Sequence, residues 1–228
     1  WIELLHALGH EPLAGLGFCV RTDLEADQWT FYKPPHGDLE ALYGIEVVEL
    51  NPWTTVLEQV VAEVRAGRIA LVEVDSWFLP DTLSTAYKQH HVKTTIGVET
   101  IDVAARRLGY FHNAGYYAVE GDDFDGLFVA HDMNTDDHLV PYVELAKIER
   151  ARTIPSMERQ ADVARRLLSH HVSWMPTANP FTRYRDRYQA DVEQMREMGV
   201  EKGGERFHLY AFAYFRQFGA AFFDAACH

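Results

Sequence analysis

Two adjacent histidines and one asparagine are the residues of this chain best suited by type and spacing to catalysis. His90 and His91 precede the run VKTTIGV, and Asn113 ends the run LGYFHN. Neighbouring residues of a strand face opposite sides, so at most one of the two histidines faces a given cleft. A histidine acts as a general base when a fixed amide or carboxylate on the adjacent strand holds its second ring nitrogen. A hairpin of the two runs would return Asn113 to the head of the first strand, which makes one of the two histidines a candidate base and Asn113 its candidate orienter. The alternative, that both histidines are ordinary solvent-exposed or hydrogen-bonded residues, stays open.

Two carboxylates flank the same predicted cleft. Asp75 ends the run RIALVEVD, and Asp81 follows Pro80 a few residues later. We expect Asp75 and Asp81 to bind the amine of a substrate. Carboxylates at strand ends also commonly cap turns, and this second interpretation remains open.

The patterns of common metal and nucleotide sites are absent from the sequence. There is no HEXXH motif, and GLGF at residues 15–18 lacks the glycine pattern that continues a dinucleotide-binding loop. One acidic loop contains two histidines but has loose spacing, which is more typical of a solvated loop than of a zinc site; its residues are His131, Asp132, Asp136, Asp137 and His138. The sequence therefore predicts neither a metal nor a bound cofactor.

The surrounding elements indicate an α+β fold with a mixed, largely antiparallel sheet. The aliphatic run at residues 68–78 is typical of a strand buried on both faces. A helix capped by Asn51 or Thr54 is predicted to run to Ala66 and to stop at Gly67. Alternation and β-branched content predict further strands at residues 27–33, 45–50, 91–99, 108–113 and 114–119. Residues 13–20 are predicted to be a short strand or a buried turn.

The second part of the chain has the pattern of long helices. Helices are predicted over residues 155–171 and 179–198 and from Glu205 to the end, separated by prolines and by Gly203-Gly204. The predicted organisation is an α+β domain at residues 1–140 and a helical subdomain at 141–228.

Composition excludes several classes of partner. The chain has 228 residues and a formal net charge of -13, with 21 basic and 34 acidic residues. This balance argues against a general nucleic-acid surface and against an anionic membrane surface. No apolar run is long enough to span a membrane, and the two cysteines, Cys19 and Cys227, lack paired spacing. We therefore expect a reducing, cytoplasmic location.

Three long motifs carry a resemblance to a known family. They are LVEVDSWFLPDT, YKQHHVKTTIGV and RLGYFHNAGYYAVEGDDFDGLF, and shorter matches extend along the chain. The chain resembles an uncharacterised bacterial family related to the N-terminal domain of butirosin biosynthesis protein H. The resemblance implies a papain-like fold, similar to that of bacteriocin-processing peptidases. It also implies cysteine-dependent transfer of an acyl or aminoacyl group from a carrier-protein thioester to an amine, with His91 and Asn113 as base and orienter.

The nucleophile implied by the resemblance is a cysteine in an NCY-like motif just before the helix WIELLH, where this sequence begins. A helix N-terminus lowers the pKa of a thiol and supplies N–H groups to an oxyanion. The expectation is therefore a fragment without its nucleophile and without turnover. Cys19 lies beside Phe18 and Val20, which is typical of a small buried hydrophobe, and Cys227 is expected to be a core or tail thiol.

The expected partners are an acyl or peptidyl carrier protein, whose phosphopantetheine arm bears the substrate, and a small amine acceptor. Carrier proteins are acidic, so docking requires a local basic patch. Positive charge is concentrated at Lys147, Arg150, Arg152, Arg159, Arg165, Arg166, Arg183, Arg185 and Arg187. A solvated helix face with internal ion pairs is an equal alternative for these residues. For the whole chain, a non-catalytic module that binds a carrier arm or a peptide, and a cysteine peptidase, remain the alternative functions.

Overall fold

In the computed structural model, the described residues are 1–25, 28–30, 33–129, 142–207 and 210. The helices are α1 (Ile2–Ala7), α2 (His36–Tyr43), α3 (Val56–Arg65), α4 (Asp122–Val129), α5 (Met157–Val172) and α6 (Pro180–Glu197). The strands are β1 (Leu24–Glu25), β2 (Gln28–Trp29), β3 (Glu46–Leu50), β4 (Ile69–Asp75), β5 (Lys93–Asp102), β6 (Arg107–His112), β7 (Gly115–Glu120) and β8 (Val143–Lys147). Short 3-10 helices span Pro12–Arg21, Ser76–Phe78 and Pro80–Thr82. No described helix has the length and apolar character needed to cross a membrane.

The chain forms two compact units, each assembled from two segments. The first unit comprises Trp1–Glu11 and Leu39–Ile154, and the second comprises Pro12–Asp38 and Pro155–His228. The division falls within α2. All of the predicted site residues belong to the first unit.

A six-stranded sheet forms the framework of the first unit. Its order is β3-β8-β4-β5-β6-β7, and every neighbouring pair is antiparallel. The α+β class and the strands at β3 to β7 are therefore confirmed. The sequence does not predict β8, whose residues VELAK are mostly helix formers. The structure places β8 between β3 and β4, where both of its edges are hydrogen-bonded.

One face of this sheet carries the main hydrophobic core. Val72 and Val74 of β4 and Ile96 of β5 are completely or almost completely buried, and they pack with Val56 and Val60 of α3. Successive residues of a strand face opposite sides, so the even-numbered positions of β4, and those of β5 before its register shift at Val98 and Thr100, point into this core. The odd-numbered positions point away from it.

Helix α3 begins and ends with recognisable local signals. Thr55 accepts a hydrogen bond from the N–H of Glu58, whose side chain accepts from the N–H of Thr55, which completes a capping box. The predicted caps, Asn51 and Thr54, are wrong, because only Thr55 has a glutamate three residues later. The predicted stop is confirmed, since Gly67 follows the helix with a φ of 77° that favours glycine.

The second unit contains helices α5 and α6 and the 3-10 helix Pro12–Arg21, which packs against α5. The two predicted helices are confirmed, with Ser156 and Asn179 as their N-caps. Residues 13–20 are 3-10 helix rather than a strand. Of the predicted strand at 27–33, Gln28–Trp29 form β2, and residues 27, 31 and 32 lie outside the described residues, as does most of the predicted last helix.

Candidate functional site

Asp75, Trp77 and His91 form one side-chain cluster at the end of β4. Nδ1 of His91 lies 2.5 Å from Oδ2 of Asp75. The indole of Trp77 stacks on the imidazole, with 4.4 Å between the ring centroids and 5° between the planes. The Asp75 side chain is 18% exposed and that of His91 is 67% exposed, so the histidine is the solvent-facing member of the pair.

The backbone explains why these residues meet. Asp75 pairs with Lys93 in the antiparallel ladder of β4 and β5, so the segment before β5 runs beside the end of β4. Ser76 fixes this segment, because its N–H and its hydroxyl both donate to the carbonyl of Val92, at 2.9 and 2.8 Å. Asp75 is itself held in place, since its Oδ1 accepts the N–H of Trp77 at 2.9 Å.

The arrangement favours the tautomer of His91 that a general base requires. A carboxylate only accepts hydrogen bonds, so Nδ1 of His91 carries the proton and donates it to Asp75. The lone pair of the imidazole is then on Nε2. Within the described part of the chain, His91 makes no second hydrogen bond, and its Nε2 is available to a substrate.

Asn113 lies at a different place from His91. It occupies the turn between β6 and β7 with a φ of 47°, and its Nδ2 is 3.2 Å from Nδ1 of His112. The register of the hairpin explains this position: Gly97 pairs with Phe111, so the end of β6 lies beside the middle of β5 rather than beside its start. Asparagine is also one of the few residues that tolerates a positive φ. Among the described residues, His91 and Asn113 share no hydrogen bond, and the role of Asn113 as orienter stays a prediction.

Asp81 belongs to a second, buried cluster. Its Oδ1 accepts from the Tyr110 hydroxyl at 2.6 Å, and its Oδ2 lies 2.6 Å from Nδ1 of His112. Nε2 of His112 in turn lies 2.9 Å from Oγ1 of Thr94. Burial acts to raise the pKa of Asp81, but the hydrogen bonds from His112 and Tyr110 outweigh it, and the pKa lies below its ordinary value. Burial, reinforced by the Asp81 carboxylate, raises the pKa of Tyr110 above the usual range of tyrosine.

The two clusters lie on opposite faces of the sheet. Val74 pairs with Thr94, and Asp75 pairs with Lys93. Thr94 therefore shares the face of Val74 and the core, whereas Asp75 is on the other face. Neither His112 nor Thr94 is among the site residues that the sequence predicts. One pattern in the sequence places both residues on the core face of their strands. Thr94 lies two residues before the core residue Ile96, and His112 lies two residues after the core residue Tyr110.

The described residues supply no metal site. They contain no group of three or more histidine, cysteine, aspartate or glutamate side chains that could hold an ion. The acidic loop from His131 to His138 lies outside the described residues. Cys19, in the 3-10 helix of the second unit, is half-buried and forms no disulfide within the described residues.

Several of the basic residues expected to dock an acidic partner are paired within the chain. Lys147 pairs with Glu46, and the partners in the second unit are all aspartates. The four arginines paired in this way are Arg165, Arg183, Arg185 and Arg187. This pairing favours the interpretation of a solvated surface with internal ion pairs.

Two family domains match this chain in succession. The DUF1839 N-terminal domain matches residues 1–148, which include the whole six-stranded sheet and both side-chain clusters. The DUF1839 C-terminal domain matches residues 157–226. No curated protein matches the chain. The chain belongs to the DUF1839 family.

Proposed function

We propose that this protein is a thiol-dependent acyl or aminoacyl transferase, related to butirosin biosynthesis protein H and to the papain-like superfamily. In this proposal His91 is the general base and Asp75 is the residue that orients it. The observation that carries the proposal is the 2.5 Å contact between Nδ1 of His91 and Oδ2 of Asp75, together with the exposure of the imidazole. The resemblance implies Asn113 in the orienting role instead, and that role stays an untested prediction because the Asn113 amide lies beside His112.

The chemistry follows from the direction of the hydrogen bond. Nε2 of His91 accepts the proton of a cysteine thiol, and the thiolate attacks the carbonyl carbon of a thioester. The carrier thiol leaves with that proton, so that the acyl group is now on the enzyme. An amine then attacks the acyl-enzyme and gives a proton to Nε2 of His91. The amide is released, and the cysteine thiolate that re-forms takes this proton back. Asp75 stabilises the imidazolium that forms in each step.

The surroundings of His91 fit a substrate that arrives on another protein. An acyl group on a phosphopantetheine arm must reach the base from solvent, and the His91 side chain is 67% exposed. Trp77 holds one face of the ring by stacking and so restricts the direction in which Nε2 points. A small amine is the second substrate. The cytoplasm, where carrier proteins are acylated, is the proposed location.

The proposal requires a cysteine thiol within reach of Nε2 of His91, and the decisive experiment locates it. The protein in its natural full length is incubated with an acyl-pantetheine thioester and a small amine, and the acyl adduct is mapped by mass spectrometry. We expect a thioester on a cysteine, and His91→Gln should slow its formation by about 100-fold or more. His90→Gln is the matched control, because it removes the adjacent exposed histidine.

Three other outcomes would contradict the proposal. Release of free acid instead of amide would identify a hydrolase, as expected of a cysteine peptidase. Binding of the carrier without any adduct would identify a non-catalytic module. Adduct formation at the same rate in His91→Gln would exclude His91 as the base.

A further inference from the structure

The buried cluster around Asp81 has the connectivity of a hydroxyl-activating triad. Oδ2 of Asp81 lies 2.6 Å from Nδ1 of His112, and Nε2 of His112 lies 2.9 Å from Oγ1 of Thr94. The three side chains come from a 3-10 helix and two neighbouring strands, so the sheet fixes their spacing. Carboxylate, imidazole and hydroxyl are thus joined in the order that activates a nucleophile.

The hydrogen bonds fix the position of each proton in this triad, which forms a hydrogen-bond relay from Thr94 to Asp81. The Asp81 carboxylate is ionised and also accepts the hydroxyl of Tyr110, so it can only accept from His112. The Asn113 amide nitrogen, 3.2 Å from Nδ1, is itself a donor and cannot accept that proton, so the carboxylate takes it. Nε2 of His112 is left with its lone pair, and the Thr94 hydroxyl donates to it.

Exposure increases along the relay from the acid to the hydroxyl. The side chain of Asp81 is 1% exposed and that of His112 is 4% exposed, whereas Thr94 is half-buried. A dry carboxylate and imidazole interact more strongly than a pair in water, and they do not exchange their partners for solvent. The atom nearest to solvent is then the one that would react.

We propose that Thr94 is a nucleophile that accepts a small acyl group from an activated ester or thioester, with His112 as its base and Asp81 as the orienting residue. A new bond forms between Oγ1 of Thr94 and the acyl carbon, and the bond from that carbon to the leaving group breaks. The hydroxyl proton passes to Nε2 of His112 and from there to the leaving alkoxide or thiolate. The half-buried position of Thr94 restricts the site to small acyl groups.

This site is independent of His91. It lies on the core face of the sheet, whereas Asp75 is on the opposite face, and its nucleophile is a hydroxyl rather than a thiol. The location of an acyl adduct therefore separates the two proposals. An ester at Thr94 reports on this site, and a thioester on a cysteine reports on the transferase.

The test uses p-nitrophenyl acetate at neutral pH, with release of p-nitrophenol and peptide mapping as the two measurements. We expect one acetyl ester at Thr94. Thr94→Val, which keeps the branched shape but lacks the hydroxyl, should abolish this ester, and Thr94→Ser should retain it. Thr95→Val is the matched control, since it removes the hydroxyl of the exposed neighbour on the other face.

The role of the base is tested separately. His112→Gln should slow acetylation of Thr94 by about 100-fold or more, while the Thr94→Val and Thr94→Ser pair keeps the test valid if His112→Gln does not fold. Acetyl groups only at other residues, an unreacted Thr94, or equal rates in Thr94→Val and the unmodified protein would overturn the proposal and leave the relay as a purely structural network.

Discussion

Asp81 and His112 form a 2.6 Å contact inside the protein, whereas Asp75 and His91 form a contact of nearly the same length at its surface. The two pairs have the same chemistry but opposite exposure: the His112 side chain is 4% exposed and the His91 side chain is 67% exposed. Water screens the second pair and not the first. We therefore expect Asp81 to contribute to stability and Asp75 to contribute mainly to activity.

Replacement of Asp81 by asparagine should destabilise the protein most at neutral pH. Asparagine weakens the two hydrogen bonds that the Asp81 carboxylate accepts from His112 and Tyr110, and each hydrogen bond to a charged group contributes about 2 kcal/mol to the free energy of unfolding. Because the folded pKa of Asp81 is lowered, its stabilisation is complete above the unfolded pKa of about 4 and is lost as the pH falls through the folded pKa. Asparagine resembles the protonated carboxyl, so Asp81→Asn and the unmodified protein should converge in acid. Denaturant unfolding between neutral and acidic pH measures this, and a constant difference would contradict it.

Replacement of Tyr110 by phenylalanine should also destabilise the folded state. Tyr110 is fully buried and donates to Asp81, and a hydrogen bond to a charged group contributes about 2 kcal/mol. Tyr116→Phe is the control, because Tyr116 is 46% exposed and its hydroxyl lies 3.3 Å from that of Thr100. We expect Tyr116→Phe to change the free energy of unfolding by less than about 0.5 kcal/mol. Equal effects of the two variants would show that the Tyr110 hydroxyl does not support Asp81.

Replacement of Asp75 by asparagine should leave stability almost unchanged and lower acyl transfer. An exposed ion pair contributes less than about 1 kcal/mol, and asparagine can still accept the N–H of Trp77. The His91 tautomer loses its carboxylate partner, which should slow transfer by about 10-fold or more. Asp75→Ala, which removes the cap as well, should be less stable by about 1 kcal/mol. Full transfer activity in Asp75→Asn would exclude the carboxylate as the orienter.

Replacement of Thr55 by alanine should destabilise α3 by about 1 kcal/mol, because it removes the side-chain half of the capping box. Thr54→Ala is a matched control one residue away, without a role in the cap, and should have a smaller effect. The free energies of unfolding of the two variants, from urea titration, provide the comparison. A larger loss in Thr54→Ala would show that the helix begins earlier.

Local patterns predicted the strands β3 to β7 and the helices α3, α5 and α6, because each has a clear periodicity or a clear stop signal. Gly67 ends α3 as predicted, since a positive φ is a property of one residue. Strand β8 was not predicted, because VELAK is intrinsically helix-forming and becomes a strand only between two open sheet edges.

The site also combines features that the sequence predicts with features that only the folded structure shows. By itself, the sequence determined which residues have suitable chemistry: His91 at the head of a strand, with carboxylates and an amide in neighbouring segments. Only the tertiary structure decided the partners, placing Asp75 with His91, and Asp81 and Asn113 with His112. The reason is that strand register is set by packing of the whole sheet, and a shift of a few residues exchanges one partner for another. Residue types are properties of the chain, whereas hydrogen-bond partners are properties of the fold.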